Sequence, residues 1–357
     1  MRLDESSLPA YARGCAILGA GGGGDTSVGL LTALQAVGDH GPVEVVDLDA
    51  LPDDGLVMPC GGIGAPTVSI EKIEAGDEVL RLREAVERLW NRPVAALMCG
   101  EIGGSNGLTP VAWAARAGLP IVDADGMGRA FPEVFQVAME VAGVPATPGV
   151  MTDERGNVVV VHAVSGTWME RLERVCSVEF GGAASSTEYQ MTVEQARTAT
   201  IRGSVTLAQR IGRAVLEAEG DPLDALAAVV CGHVLIEGKV TDVERRAEGG
   251  FVRGSVTIEG LRSDAGRTLR LELQNENLVA LEDGDPLAMV PDIITVIDSE
   301  SAAAISTERI RYGQRVGVVA FPCDPLWRTP QGLELAGPRA FGYGFPYVPV
   351  EQIHGAD

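Results

Sequence analysis

The sequence is poor in basic residues: 28 Lys and Arg stand against 50 Asp and Glu, a net charge of −22 over 357 residues. That imbalance excludes nucleic acid and anionic membrane as partners, since both need a positive face. Long apolar runs are also lacking. Stretches such as residues 57–60 and 158–161 fall far short of the roughly 20 residues that cross a bilayer. The opening MRLDESSLPAYARGC holds no apolar run of signal-peptide length. Six cysteines stand singly (Cys15, Cys60, Cys99, Cys176, Cys231 and Cys323) with no CxxC, so neither a disulfide framework nor a zinc-finger spacing is present. A reducing cytoplasm is the expected home. The four His form no HxH, HxxxH or HExxH, which leaves no strong metal motif, and the absence of GK[ST] rules out a Walker A loop. His40 and His354 read as peripheral, His162 and His233 as core or structural.

What is present is apolar sequence, 46% of the chain, enough for a sizeable core, and a length that favours two domains. The organising stretch runs from Pro93 to Glu133. Two short apolar runs, 94–98 and 120–122, each lead into a polar, glycine-crowded loop, with helical character from Thr109 to Ala117 between them. This is a βαβα pattern, which places ligands at the carboxyl ends of its strands. Further strands are expected at 15–18, 43–47 and 56–60, with helices at 27–37, 77–90 and 132–142. The expectation is an α/β fold: an N-terminal domain over 1–170, mainly parallel sheet with flanking helices, and a smaller β-rich C-terminal domain within 171–357. The second part opens with helical sequence at 193–219 and 223–230. Stretches 157–164 and 176–180 have strand character. From Val234 the pattern alternates in period two, with strands at 240–244, 251–258, 269–274, 293–298 and 316–321 and turns at 248–250 and 263–266.

Gly19 to Gly24 satisfies GxGxxG and is followed 23 residues later by Asp47, a dinucleotide fingerprint on paper. Asp25 speaks against it, because a carboxylate would stand where a pyrophosphate must sit. Otherwise these glycines let the turn approach a neighbouring loop or a small ligand. Glu101, Asn106, Asp123, Asp125, Arg129 and Glu133 fall on two adjacent loops at one sheet edge. Charged groups there are costly to bury without partners, which favours a site, although Asp123 or Asp125 can equally cap a helix. Glu71 and Lys72 read as a solvated pair unless they join it. In the second half, Asn275-Glu276-Asn277 ends a strand with few ordinary explanations, whereas Pro291-Asp292 is common turn chemistry. Cys323 and Arg328 share a proline-fixed loop: the thiol is a candidate nucleophile if a cation favours thiolate, and Arg328 a candidate for a bidentate carboxylate contact.

The segments CAILGAGGGGD, GAPTVSIEK, GEIGGSNG, DADGMGRAFPE, GKVTDVERRAEGGFVRGSV, LQNENLVA, VPDIITVID and DPLWRTPQGLELAGPRAFGY occur in one order over residues 13–350. Together they resemble the S-methyl thiohydantoin desulfurase family, associated with hydantoinase and oxoprolinase operons. The resemblance implies an N-terminal α/β domain, a smaller β-rich C-terminal domain, and removal of sulfur from a thiohydantoin ring. The nearest associated activity belongs to ergothioneine degradation: 3-(5-oxo-2-thioxoimidazolidin-4-yl)propionate and water give the hydantoin propionate and hydrogen sulfide. Cys323 departs from the Ala or Pro expected at that point in the family.

Such a hydrolysis needs an activated nucleophile, stabilisation of negative sulfur and a proton for the leaving sulfide. The candidates are Glu101, Asp125 or Glu71 to activate water. Lys72, Asn106 and N–H groups of the Gly22–Gly23 loop would stabilise sulfur and ring oxygen. Arg129 or Arg328 would hold the substrate carboxylate, and Asn275 and Glu276 would close the site. A covalent route through Cys323 competes. No cofactor is evident, and a divalent metal stays open, needing Asp, Glu and His ligands gathered across loops. Partners expected are the small thiohydantoin, a second copy of the chain as a homo-oligomer, and hydantoinase-pathway proteins. Two other functions stand as alternatives: a non-catalytic accessory subunit of a hydantoinase-type complex, and a nucleotide-dependent enzyme using Gly19–Gly24.

Overall fold

The computed structural model describes residues 1–65, 68, 71–248 and 251–355. Pro66, Thr67, Ser69 and Ile70 of GAPTVSIEK, and Gly249 and Gly250 of the expected turn, lie outside the described residues. Ten of the described strands form a mixed sheet. Its centre is parallel: β2 (Val43–Val46), β5 (Ile121–Asp125), β4 (Val94–Cys99) and β3 (Leu56–Gly64) lie side by side in that order. These strands are almost wholly buried, as parallel strands covered on both faces must be. Beyond β3 the sheet turns antiparallel through β8 (Ala183–Thr187), β6 (Gly149–Thr152) and β7 (Val158–Val161). A second, seven-stranded antiparallel sheet holds residues 233–321, and its long strands β11 (His233–Glu248) and β12 (Phe251–Gly260) pair as a hairpin. The α/β class and the β-rich second half follow the sequence.

Several elements differ. Residues 15–18 were expected as a strand and end a helix, Leu8–Leu18. A four-residue apolar run has no period, so a buried helix and a buried strand look alike. Helix Leu8–Leu18 crosses helix Ser204–Leu216 so closely that a Cβ on Gly14 would lie 1.8 Å from the Ala208 carbonyl oxygen, and one on Gly212 1.7 Å from that of Ala10. Residues 176–179 likewise end a helix, Gly166–Glu179, and are not strand. The expected helix at 132–142 shrinks to Ala138–Val141, because the Val134 N–H is taken by Glu170 (2.9 Å) and the chain stays irregular. The single helix expected over 193–219 breaks into Val193–Ala199 and Ser204–Leu216. Between them Ile201–Arg202 pairs antiparallel with β5.

One apolar core packs helices Leu8–Leu18 and Ser204–Leu216 between the first sheet and Ile293, Ile297, Val319 and Phe321 of the second. Polar ties reinforce this junction. Arg129 donates to the carbonyls of Pro291 (2.8 Å) and Asp292 (2.9 Å), and the Trp327 indole donates to Met127 O (2.7 Å).

Candidate active site

The glycine-rich segment follows a helix, not a strand, so the strand–loop–helix context of a dinucleotide fingerprint is missing. Its carbonyls tie it to the neighbouring elements. Ala20 O accepts from Asn277 N (2.7 Å), Gly21 O from Thr307 N (2.9 Å), Gly23 O from Asn106 N (3.3 Å) and Gly24 O from Ser105 N (3.2 Å). Asp25 caps helix Thr26–His40 through Ser27 N (2.8 Å) and pairs with Arg309. The glycines are required by proximity. A Cβ on Gly22 would lie 2.0 Å from Glu276 Oε1, and one on Gly23 2.3 Å from Gly103 O.

Around this loop opens a cavity of about 490 Å³. The carboxyl ends of β3 and β4, residues 183–188, and Asn275 and Glu276 of the second sheet contribute to its wall. Glu101, two residues past the end of β4, accepts a hydrogen bond at Oε1 from Asn106 Nδ2, while its buried Oε2 has no partner. Burial pushes its carboxyl up to about 8, against the pull of Asn106. Glu276 opens β14 (Glu276–Glu282) directly after Asn275, whose φ of +58° turns the chain into the cavity wall. It is 2% exposed, its Oε2 also lacks a partner, and burial and then the nearby Glu101 raise its carboxyl well above the ordinary range. Arg129 counters both. It is fully buried and holds the two carbonyls of the junction, with its Nη2 unpaired. Desolvation lowers it to about 10, with Glu276 the strongest opposing charge, so it stays cationic at neutral pH. Two carboxyl groups on the cavity wall thus share one guanidinium buried behind it.

The other expected residues divide. Gly22, Gly23, Asn106 and Asn275 line the cavity with Glu101 and Glu276. Lys72 lines it too, but its ammonium is spent on the carbonyls of Phe180 (2.5 Å) and Ala183 (2.6 Å) and on Glu154 (2.8 Å), all three of its donors. It is therefore not free to stabilise sulfur. Glu71 is exposed and off the wall. Asp125 stands behind the wall: one oxygen accepts from the N–H groups of Ile102 (2.9 Å), Met127 (2.9 Å) and Gly128 (2.8 Å), shaping both loops. Burial still pushes it up to about 6. Asp123 caps the other side, at Thr206 N (2.9 Å).

Cys323 and Arg328 need correction. The Cys323 thiol is buried away from the cavity, and desolvation followed by Asp292 raises its pKa, the opposite of what a thiolate nucleophile needs. Arg328 is committed to Asp292 (2.8 Å) and Glu351. Asp292, read from sequence as turn chemistry, is the hub of that cluster. Fully buried, it accepts from Cys323 N (3.0 Å), Arg328 Nη2 (2.8 Å), Tyr347 Oη (2.9 Å) and Val350 N (2.8 Å). Among the described residues, no three of His, Cys, Asp and Glu gather so as to hold a metal ion.

Sequence reasoning missed Glu188. It follows β8 on the cavity wall, and its Oε1 is buried without a donor. Burial pushes its carboxyl up to about 7, while the fully buried Glu173 beside it is raised further, first by burial and then by Glu188 itself. Helix Gly166–Glu179 supplies Glu173. No sequence signal joins residues on a helix and a strand end when only folding makes them neighbours.

Comparison with known proteins adds a family to this geometry. A crystal structure of a protein from Chromobacterium violaceum superposes with a TM-score of 0.80 at 25% identity, over 98% of this chain and 100% of that one. No curated protein matches the chain significantly. Residues 6–163 match the model of the S-Me-THD-like N-terminal domain, and residues 164–350 match that of the S-Me-THD-like C-terminal domain. The matches take in nearly the whole chain, which belongs to the S-methyl thiohydantoin desulfurase family.

Proposed function

We propose that this protein is a hydrolase that releases sulfide from a 2-thiohydantoin ring, with Glu101 and Glu276 as its acid–base pair. One observation carries the reading. Two buried carboxyl groups face one cavity beside a buried cation, and each keeps an oxygen without a partner. Once one of two interacting carboxyls ionises, the other is held protonated, and the pair then supplies both forms the reaction needs, a base and an acid.

The chemistry runs in two steps. The ionised member takes a proton from water as its oxygen attacks C2, and the C=S pair moves onto sulfur. The tetrahedral adduct then collapses: the protonated member delivers its proton to sulfur and takes back the hydroxyl proton as the carbonyl forms and the C–S bond breaks, and the first member returns the proton it took from water to the departing hydrosulfide. Water and thiohydantoin give hydantoin and hydrogen sulfide. Arg129 stabilises the shared negative charge, and Asn106 fixes the Glu101 side chain so that Oε2 stays available.

Sulfide release from purified protein and a panel of 2-thiohydantoins tests this, with a propionate-bearing ring of the ergothioneine-derived type among them. Turnover that falls at least about 100-fold in Glu101→Gln and in Glu276→Gln supports the pair. Unchanged turnover in both variants, or no sulfide from any ring, defeats the assignment. The same assay with and without chelator reports on metal dependence.

A further inference from the structure

The cavity is several times roomier than a five-membered ring, so most of its wall meets whatever the ring carries. That wall is strongly one-sided. Ten acidic side chains line it against three basic ones. Each of the three bases already faces a carboxylate: Lys72 faces Glu154 (2.8 Å), Arg174 faces Glu170, and Arg116 faces Glu74 (3.9 Å). The acids are less well provided for.

Glu188 and Glu173 are the extreme case. Both oxygens of Glu173 and one of Glu188 are buried with no donor. Burial and then Glu188 hold the proton on Glu173, while hydrogen bonds from Glu173 and Ser186 favour the charged form of Glu188 against its own burial and the nearby Glu170. The pair therefore carries one negative charge, on Glu188, whose Oε1 stays without a donor, and a positive group arriving there would complete it. Glu188 opens onto the cavity next to the buried Ser185 and Ser186. It is separate from the Glu101–Glu276 corner, where Arg129 already supplies the positive charge.

We propose that the ring substituent of the substrate is a cation, an ammonium or guanidinium group, received by Glu188 with Glu173 behind it. This rests on the thiohydantoin reading above and narrows its substrate class. Glu188 is then the specificity residue: its carboxylate pairs with the cation, and the seryl hydroxyls beside it accept further N–H bonds. A carboxylate substituent would enter a field of like charge and be disfavoured.

Three 2-thiohydantoins that differ only at the ring carbon decide it: 4-aminobutyl, butyl and 2-carboxyethyl. The expected order of kcat/KM is aminobutyl, butyl, carboxyethyl, with aminobutyl ahead of butyl by about tenfold or more, as for a desolvated charge pair. Glu188→Gln should shrink the aminobutyl-to-butyl ratio toward one. A best rate with the carboxyethyl ring, lost in Arg116→Ala, overturns the proposal and places an anion at Arg116 instead. Equal rates for aminobutyl and butyl overturn it too. Calorimetry with the matching sulfur-free hydantoins separates the two readings. If no ring releases sulfide but the aminobutyl hydantoin still binds tighter than the carboxyethyl one, desulfuration fails and the cation site stands. If the carboxyethyl hydantoin binds as well or better, the cation site fails.

Discussion

Two buried clusters in this molecule use the same ingredients, carboxylate and guanidinium, and come out differently. Around Asp292, four donors converge on one carboxylate, and Arg328 is clamped between Asp292 and Glu351. Around Glu101 and Glu276, each carboxyl keeps a bare oxygen and Arg129 keeps a bare Nη2. In the first cluster both oxygens of Asp292 are filled, only Arg328 Nε is left bare, and the cluster holds chain together. The second is left incomplete on the wall of a cavity. Buried polar groups cost little when satisfied and much when not, so the incomplete cluster persists only at the expense of stability, the usual mark of a site.

That contrast can be broken by substitution. The largest effect should fall on turnover: Glu101→Gln lowers sulfide release by about 10²–10⁴ while raising the thermal midpoint above pH 7. The sign follows from its raised pKa. Between the unfolded value of 4.5 and about 8, the unfolded chain ionises this carboxyl and the folded one holds its proton, so stability is full below the lower limit and falls as pH rises through the window. The loss is roughly 3–5 kcal/mol by that linkage. A variant that is inactive but no more stable at pH 8 than the parent would contradict the burial argument. Next, Asp292→Ala should cost about 3–5 kcal/mol in denaturant unfolding, because it leaves Cys323 N, Val350 N and Tyr347 Oη without their acceptor and Arg328 with Glu351 alone. A cost under 1 kcal/mol would mean that the hub is not structural. Asn106→Ala should cut kcat by about tenfold with little change in KM, since it frees the Glu101 side chain from its tether; an effect on KM alone would make Asn106 a binding group. Smallest of all, Cys323→Ser should leave kcat/KM within about threefold. Complete loss of turnover in folded protein would revive the covalent route.

The legible part of this site was the part written locally. Glu101 and Asn106 sit five residues apart on one strand-end loop, and an Asn-Glu-Asn triplet at the end of a strand marked Glu276. Cys323 and Arg328 were misread because their partner Asp292 lies 31 and 36 residues upstream in a different turn. Glu188 gave no signal, since its isolation becomes visible only once helix Gly166–Glu179 lays Glu173 against it. The strand expected before the glycine run was wrong for a simpler reason: four apolar residues fit strand and helix equally. By contrast, strands of the second sheet were readable from period-two alternation alone.

The contact between Gly22 and Glu276 has a consequence for how this protein comes to exist as an active molecule. One belongs to a loop of the first half and the other opens a strand of the second, and only a hydrogen fits between them. Neither half of the chain contains both members of the proposed pair. Synthesis can finish the first sheet, with Glu101 in place, before the strand that bears Glu276 has been made. The proposed acid–base pair is thus completed only after the second sheet is made, and its presence certifies that the two halves have found each other.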